Sequence, residues 1–353
     1  MSIPSASSNR NARRFPTIRE TLHVAPHGRA HVAAIQAFLA AVVPVAVLAA
    51  IDRIDLLPYA LLVSVVSVYG RRSALATKLR MQGEALALQV FLLLAGTALS
   101  YASPSGWTVI SLAALVAGAG TALSDVRRWT PPGAVFFVFA FAVASLSENH
   151  VSLVVAGGTA IGTALFTLAI TVVLFPAARP SVPAFSPKSR TRWRLVLTHA
   201  LVCVFGAGIA GGIAVWLGLP HPYWAAVSAI VPVMGVTTSG QTMRALHRVV
   251  GTFAGLGVSL LLFSWPLPQP VLLLVLVVVM ACIELFVGRN YAVALLFLTP
   301  FTVGILFLNG PVDLPSELAL RGVETVIGIA VALVFVLSTH WARHPSSPEI
   351  TPV

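Results

Sequence analysis

The stretch ELFVGRNYAVALLFLTP (284–300) holds a carboxylate, a guanidinium, an amide and a Thr-Pro pair, yet its flanks are VLLLVLVVVMACI and FTVGILFL. An ionisable group inside a bilayer is costly and marks a functional position by default. Glu284 lies about three residues inside the end of its apolar run. It either forms an ion pair with Arg289 or Arg248, or takes up and releases protons. Gly288, Arg289 and Asn290 form a tight turn, and Tyr291 opens the next run. Pro300 falls near the middle of that run, where it frees a backbone carbonyl that Thr299 can bond in its place.

A second set of polar groups follows the run that begins at Tyr223. That run is interrupted by Pro232 and Gly235 and ends in VTTSGQT. Arg244, His247 and Arg248 come next, at i, i+3 and i+4, and so share one helix face. They are either loop charge or a positive vestibule for anions. The first half carries Lys78, Arg80 and Glu84 after its own short run, which ends at Gly70. Arg80 and Arg244 could flank a carboxylate on a shared axis, a task suited to the bidentate guanidinium. Glu84 is the first-half candidate for proton coupling. Arg321 and Glu324, spaced i, i+3 near the start of the last run, form either a helix-end pair or part of an outer gate.

Other chemistry finds no support. No P-loop, nucleophile elbow, HExxH or glycine-rich βαβ opening occurs, so no cofactor, metal site or enzyme activity is expected. Cys203 and Cys282 lie in apolar runs without metal spacing. His199 has no histidine or carboxylate at i+3 or i+4 and reads as a hydrogen-bonded helix histidine.

The elements that position these groups follow from composition. Charged residues are 9% and hydrophobic residues 58% of the 353, where a soluble domain has about 25% charged. The class is therefore an all-α polytopic membrane protein. A span needs roughly 20 apolar residues, and twelve candidates appear. The first six are about 31–51, 55–70, 84–102, 106–123, 133–148 and 150–176. The second six are about 195–217, 222–237, 248–265, 269–287, 291–309 and 318–340. Turn sequences such as SPSG, TPPG, LPHP and WPLPQP divide them. No cleavable signal peptide is evident at the polar, arginine-bearing start.

With both termini in the cytoplasm, 20 of the 22 Lys and Arg residues fall on the cytoplasmic side, as the positive-inside rule requires. The net charge of +11 is thus topology, and nucleic acid is not a partner. All seven tryptophans fall near span ends, the headgroup level that indole prefers.

The chain also repeats. LPYALLVSVVSVYG (57–70) parallels HPYWAAVSAIVPVMG (221–235), matching Tyr59 to Tyr223 and Ser64 to Ser228. GGTAIGTAL (157–165) parallels VETVIGIAV (323–331), pairing Thr159 with Thr325 and Gly162 with Gly328. Six spans per half make the repeats parallel. The organisation is a tail (1–30), a first six-helix repeat (31–177), a linker (178–194), a second repeat (195–341) and a tail (342–353). Gly158xxxGly162 and Gly251xxxGly255 are expected to pack helices closely.

PYWAAVSAIVPV…GQTMRALHRVVGTFAGLGVSLLL (222–262), ELFVGRNYAVALLFLTP and RGVETVIGIAVAL (321–333) together resemble the FUSC family of fusaric acid resistance proteins, which includes aromatic acid exporters. The carrying residues are Tyr223, Trp224, Ala225, Arg244, Arg248, Gly251 and Thr252, then Glu284, Arg289, Asn290, Tyr291, Thr299 and Pro300, then Arg321, Glu324 and Thr325. The resemblance covers the second half; the first half shares it through the repeat. It implies a bacterial inner-membrane protein exporting organic anions or toxic compounds. Many members carry a large cytoplasmic domain where this chain has residues 178–194. The expected partners are the lipid bilayer and a small organic anion, with self-association left open. Three functions follow: an exporter driven by protons or the substrate gradient, an anion channel, or a non-transporting membrane scaffold.

Overall fold

The computed structural model describes residues 30–71, 73–147, 150–178, 192–234, 238–308 and 312–343. The tails and nearly all of the linker lie outside them. Among the described residues all regular structure is helical. The helices are α1 (Ala30–Ala50), α2 (Leu57–Ser64), α3 (Leu75–Ser100), α4 (Gly106–Arg127), α5 (Val135–Ser145) and α6 (Leu153–Ala178). The second six are α7 (Trp193–Trp216), α8 (Tyr223–Val233), α9 (Thr238–Phe263), α10 (Gln269–Phe286), α11 (Tyr291–Phe307) and α12 (Leu314–Arg343). Short 3₁₀ turns, Ile54–Leu56 and Val65–Val68, flank α2.

Among the described residues eight helices are long and apolar enough to cross a membrane: α1, α3, α4, α6, α7, α9, α10 and α12. The other four apolar segments are shorter and are the second and fifth of each half. A helix of 11 residues such as α5 or α8 rises only about 16 Å, half of a roughly 30 Å hydrocarbon core. The expected spans 133–148 and 222–237 are therefore not full-length helices. In α8 every residue from Tyr223 to Val233 except Trp224 is buried, and α5 is buried along most of its length. A helix that is apolar all round belongs inside the protein. The long helices carry the exposed apolar surface, including Val154, Leu165, Trp216 and Leu261.

A short helix inside a membrane protein leaves backbone groups that lipid cannot satisfy. Side chains of α3 satisfy several of them. Gln82 Nε2 donates to the carbonyls of Ser67 (3.0 Å) and Tyr69 (3.3 Å), where α2 and its turn end. Gln89 Nε2 donates to Leu62 O (2.7 Å) and Phe136 O (3.2 Å), tying α2 and α5 to one residue.

In the first half α3 packs on α5 and α6, and both α1 and α2 pack on α6. In the second half α9 packs on α11 and α12, and both α7 and α8 pack on α12. The halves meet where α4 lies against α7 and α10 against α1.

The glycine expectations divide. A Cβ on Gly251 would lie 2.5 Å from Ala292 O, and one on Gly255 would lie 2.6 Å from Thr299 Cβ, so this pair does let α9 and α11 meet. Gly158 and Gly162 have nothing within 4 Å of a built Cβ, so that pair packs no helix within the chain. The pairing of Gly162 with Gly328 also fails on burial, since Gly162 is exposed and Gly328 buried. Burial on α6 falls on residues 156, 157, 160, 163, 167 and 171; on α12 it includes 321, 322, 325, 328, 332 and 336. These sets match when Thr163, not Gly162, stands against Gly328, a slip of one residue from the expected register.

Trp107, Trp193, Trp216 and Trp265 are exposed at helix ends, as interface anchors should be. Trp129 is buried and donates to Glu84 Oε2 at 2.9 Å. Trp224 also points inward, its ring 4.3 Å from that of Phe139.

Candidate functional site

Two close approaches build the site. Gly328 lets α12 seat on α8, because a Cβ there would meet Ala225 O at 2.4 Å and Ser228 Cβ at 2.5 Å. Gly251 and Gly255 let α11 seat on α9, which brings the start of α11 beside Arg248. The Arg248 side chain, 2% exposed, then reaches both neighbours. Its Nε and Nη2 donate to Ser228 Oγ (3.3 and 3.2 Å), and its Nη1 to Tyr291 Oη (3.1 Å).

Arg321 comes to the same region from α12. Its guanidinium lies over the indole ring of Trp224, with Tyr223 and Phe139 beside that ring. Arg321 is buried, and its Nε and Nη1 have no hydrogen-bond partner. Glu324 is 1% exposed, and its Oε1 is likewise unbonded. The expected helix-end pair is thus absent: the two groups are seven and ten residues into α12, buried, and not joined to each other. Arg248 is close enough for its charge to repel that of Arg321, while the carboxyls of Glu324 and Glu317 act on it with the opposite sign. Nearby, His221 Nε2 lies 3.8 Å from Glu317 Oε1. In the turn before α8, burial lowers the pKa of His221 against the raising effect of Glu317.

A guanidinium held away from water with two N–H groups unbonded costs several kcal/mol. Stacking on a desolvated indole returns about 2 kcal/mol, so a deficit remains. An anionic group placed between Arg321 and Arg248 would remove it, and the aromatic rings would cover the apolar part of such a ligand.

Arg248, Tyr223, Arg321 and Glu324 of the expected site therefore lie in one region. Arg80 does not; it is exposed, with Nη1 4.0 Å from Glu84 Oε1. Glu84 is engaged by Arg127 and Trp129. Arg244 is half-buried on the turn of α9 before Arg248, and His247 is buried beside Arg248 in sequence. Pro232 is buried within α8, near its end. Thr299 faces Gly255 at the α9 seam, and Pro300 is buried within α11. There the Thr299 carbonyl accepts from Thr302 Oγ1 at 2.8 Å.

Glu284 finds neither Arg289 nor Arg248. Arg71 Nη2, from the turn after α2, donates to its Oε2 at 2.7 Å. The packing of α10 against the first half causes this, since it brings the end of α10 to the Arg71 turn. Arg289 lies over the Phe286 ring. Asn290 caps α11, its Oδ1 accepting from the amides of Ala292 and Val293. At the other seam between halves His199 Nδ1 lies 2.7 Å from Asp125 Oδ2.

Sequence reasoning missed Trp224, Ser228, Tyr291 and Phe139 as site residues. Trp224 reads as an interface anchor, and only its place one residue after Tyr223 on an interrupted helix could have moved it inward. Among the described residues no group of three or more His, Cys, Asp or Glu could hold a metal.

Residues 209–335 match the family described as fusaric acid resistance protein-like. That segment contains α8 to α11 and most of α12, hence Arg248, Tyr291, Arg321 and Glu324. No curated protein and no solved structure matches the chain.

Proposed function

We propose, from the match of residues 209–335 to the fusaric acid resistance protein-like family, that this chain belongs to that family and exports organic anions, aromatic or weak-acid carboxylates, across a bacterial inner membrane. One observation carries this reading. A buried arginine with two unbonded nitrogens lies over a tryptophan and beside a second buried arginine. That set complements a carboxylate on an aromatic ring through paired guanidiniums and ring faces.

The twelve helices are two parallel six-helix repeats with both termini in the cytoplasm. In support, the contacts of α3 with α5 and α6 recur as those of α9 with α11 and α12. The seam of α4 with α7 likewise recurs as that of α10 with α1. The basic residues favour this orientation. Interrupted helices at matching positions of two halves are the usual place of a transporter's site, and α2 and α8 occupy those positions.

Proteoliposome efflux of a panel of aromatic carboxylates tests the proposal. Efflux of at least one acid, abolished by Arg321→Gln at normal protein levels, is expected. No efflux of any acid would refute it. Unitary currents in planar bilayers would assign the channel reading instead.

A further inference from the structure

The first half holds a second buried polar cluster that the anion site does not use. Lys78 is 2% exposed, and its Nζ donates to Gln36 Oε1 of α1 at 2.6 Å. Gln36 Nε2 donates to Thr171 Oγ1 of α6 at 2.7 Å, and Thr171 Oγ1 donates to Gln82 Oε1 of α3 at 2.8 Å. Gln82 then reaches the carbonyls of Ser67 and Tyr69 at the end of the interrupted helix. All four side chains are at most 2% exposed.

Among the described residues the cation at the head of this chain has no carboxylate partner within salt-bridge distance. On α1 the cluster is faced by Gln36. On α6 it is faced by Thr171 and Thr167, and no residue of α5 is ionisable. The turn after α2 brings Tyr69 and Arg71; Arg71 acts on Lys78 as a like charge and is itself bound to Glu284. An amine in such a place can gain or lose its proton without breaking an ion pair. Ionisable groups buried in this manner mark proton relays in transporters.

We propose that Lys78 is a proton-binding site, the group through which this chain couples export to proton entry. It rests on the transport reading for the coupling but not for the proton binding. The proton adds to the Nζ lone pair to form the ammonium and leaves by the same bond, with no other bond changed. Lys78 stays hydrogen-bonded to Gln36 in both states, at the cost of the Thr171–Gln82 bond in the second. With the ammonium, Gln36 Oε1 accepts, as observed. With the amine, a half-turn of the Gln36 carboxamide presents its N–H to the lone pair, and the Thr171 hydroxyl donates to Gln36 Oε1 instead of Gln82. Gln36 is therefore the positioning residue, since a carboxamide offers either a donor or an acceptor.

The test separates proton binding from transport. Purified wild type and Lys78→Met, in detergent, are titrated potentiometrically between about pH 6 and 9, the span in which a coupling group must change state. Curves that part by one proton are expected; coincident curves overturn the proposal, whatever is transported. In proteoliposomes that carry an aromatic acid, efflux driven by an inward proton gradient should fall about tenfold or more in Lys78→Met and Lys78→Arg. Exchange at equal pH on both sides should stay within about twofold, because the anion site is untouched. Gln36→Glu should also remove the pH dependence, by pairing Lys78 permanently, and it serves if Lys78→Met fails to fold. Gradient-driven efflux of wild-type pH profile in Lys78→Arg and Gln36→Glu overturns the coupling. Absence of efflux in the wild type would count against the transport reading alone, since the titration still decides proton binding.

Discussion

The two halves close their interrupted helices in different ways. Around α2 the freed carbonyls go to Gln82 and Gln89, and the amide chain from Lys78 is bonded at each step. Around α8 two arginines converge instead, one held by Ser228 and Tyr291, the other with two nitrogens unbonded. Matched positions even differ in sign. Glu84 takes Arg127 and Trp129 in the first half, while Arg248, which aligns with Glu84 at the Arg80–Arg244 offset, takes Tyr291 in the second. One scaffold thus leaves neutral atoms unbonded on one side, Gln89 Oε1 and Ser67 Oγ, and charged ones on the other, at Arg321 and Glu324. A neutral unbonded atom costs little beside a buried charge, so it is the charged side that gains most from a ligand's atoms.

The sharpest way to break this contrast is to remove the unbonded charge. Arg321→Gln should lower organic-anion efflux about a hundredfold, the scale of losing one buried charge contact, with the protein still in the membrane. The mirrored change Gln89→Leu should act on stability and leave substrate affinity alone. Efflux assays on membranes of equal protein content read the difference.

The two seams between the halves offer a second comparison. Glu284 is 9% exposed and bound to Arg71, while Asp125 and His199 are each 23% exposed. Glu284→Gln should cost about 2 kcal/mol by removing the charge-assisted hydrogen bond that the buried carboxylate accepts from Arg71. Asp125→Asn should cost under about 1 kcal/mol, as half-wet pairs do. Thermal unfolding in detergent measures both, and equal losses would contradict the burial difference.

A third comparison concerns glycine. Gly328→Ala should destabilise by about 2 kcal/mol, because its Cβ has no room against α8. Gly162→Ala should be neutral or slightly stabilising, since nothing lies within 4 Å and alanine favours helix by about 1 kcal/mol. The smallest effect belongs to Asp55, in the turn between α1 and α2. Its hydrogen bond with Arg53 holds its carboxyl below the usual range. A depressed carboxyl stabilises above its unfolded pKa, near 3.9, and loses that contribution as pH falls through the folded value. Asp55→Asn should therefore melt barely below wild type at pH 7 and level with it in strong acid.

Helix number, the order of turns and the second-half motifs were legible because bilayer thickness and charge bias act on local sequence. Helix length at α5 and α8 was not, since an apolar run reads alike whether it meets lipid or protein. Partner choice was also hidden. Glu284 bonds Arg71, 213 residues away, and no local spacing encodes that contact. Glutamines 82 and 89 carry no charge signal, so their role appears only once an interrupted helix lies opposite them. Arg321 and Glu324 were legible as a pair by spacing, but whether they meet depends on the seat of α12 on α8. The slip between Gly162 and Thr163 shows the same limit: residue identity suggests one register, and the burial positions of α6 and α12 coincide in another.

Under the proposed function Arg321, Arg248 and Trp224 form an organic-anion site. Equilibrium dialysis of radiolabelled benzoate against the purified protein tests it most directly. Saturable binding by the wild type, lost in Arg321→Gln and retained in Arg80→Gln, is the predicted result. Equal binding by wild type and Arg321→Gln would contradict it.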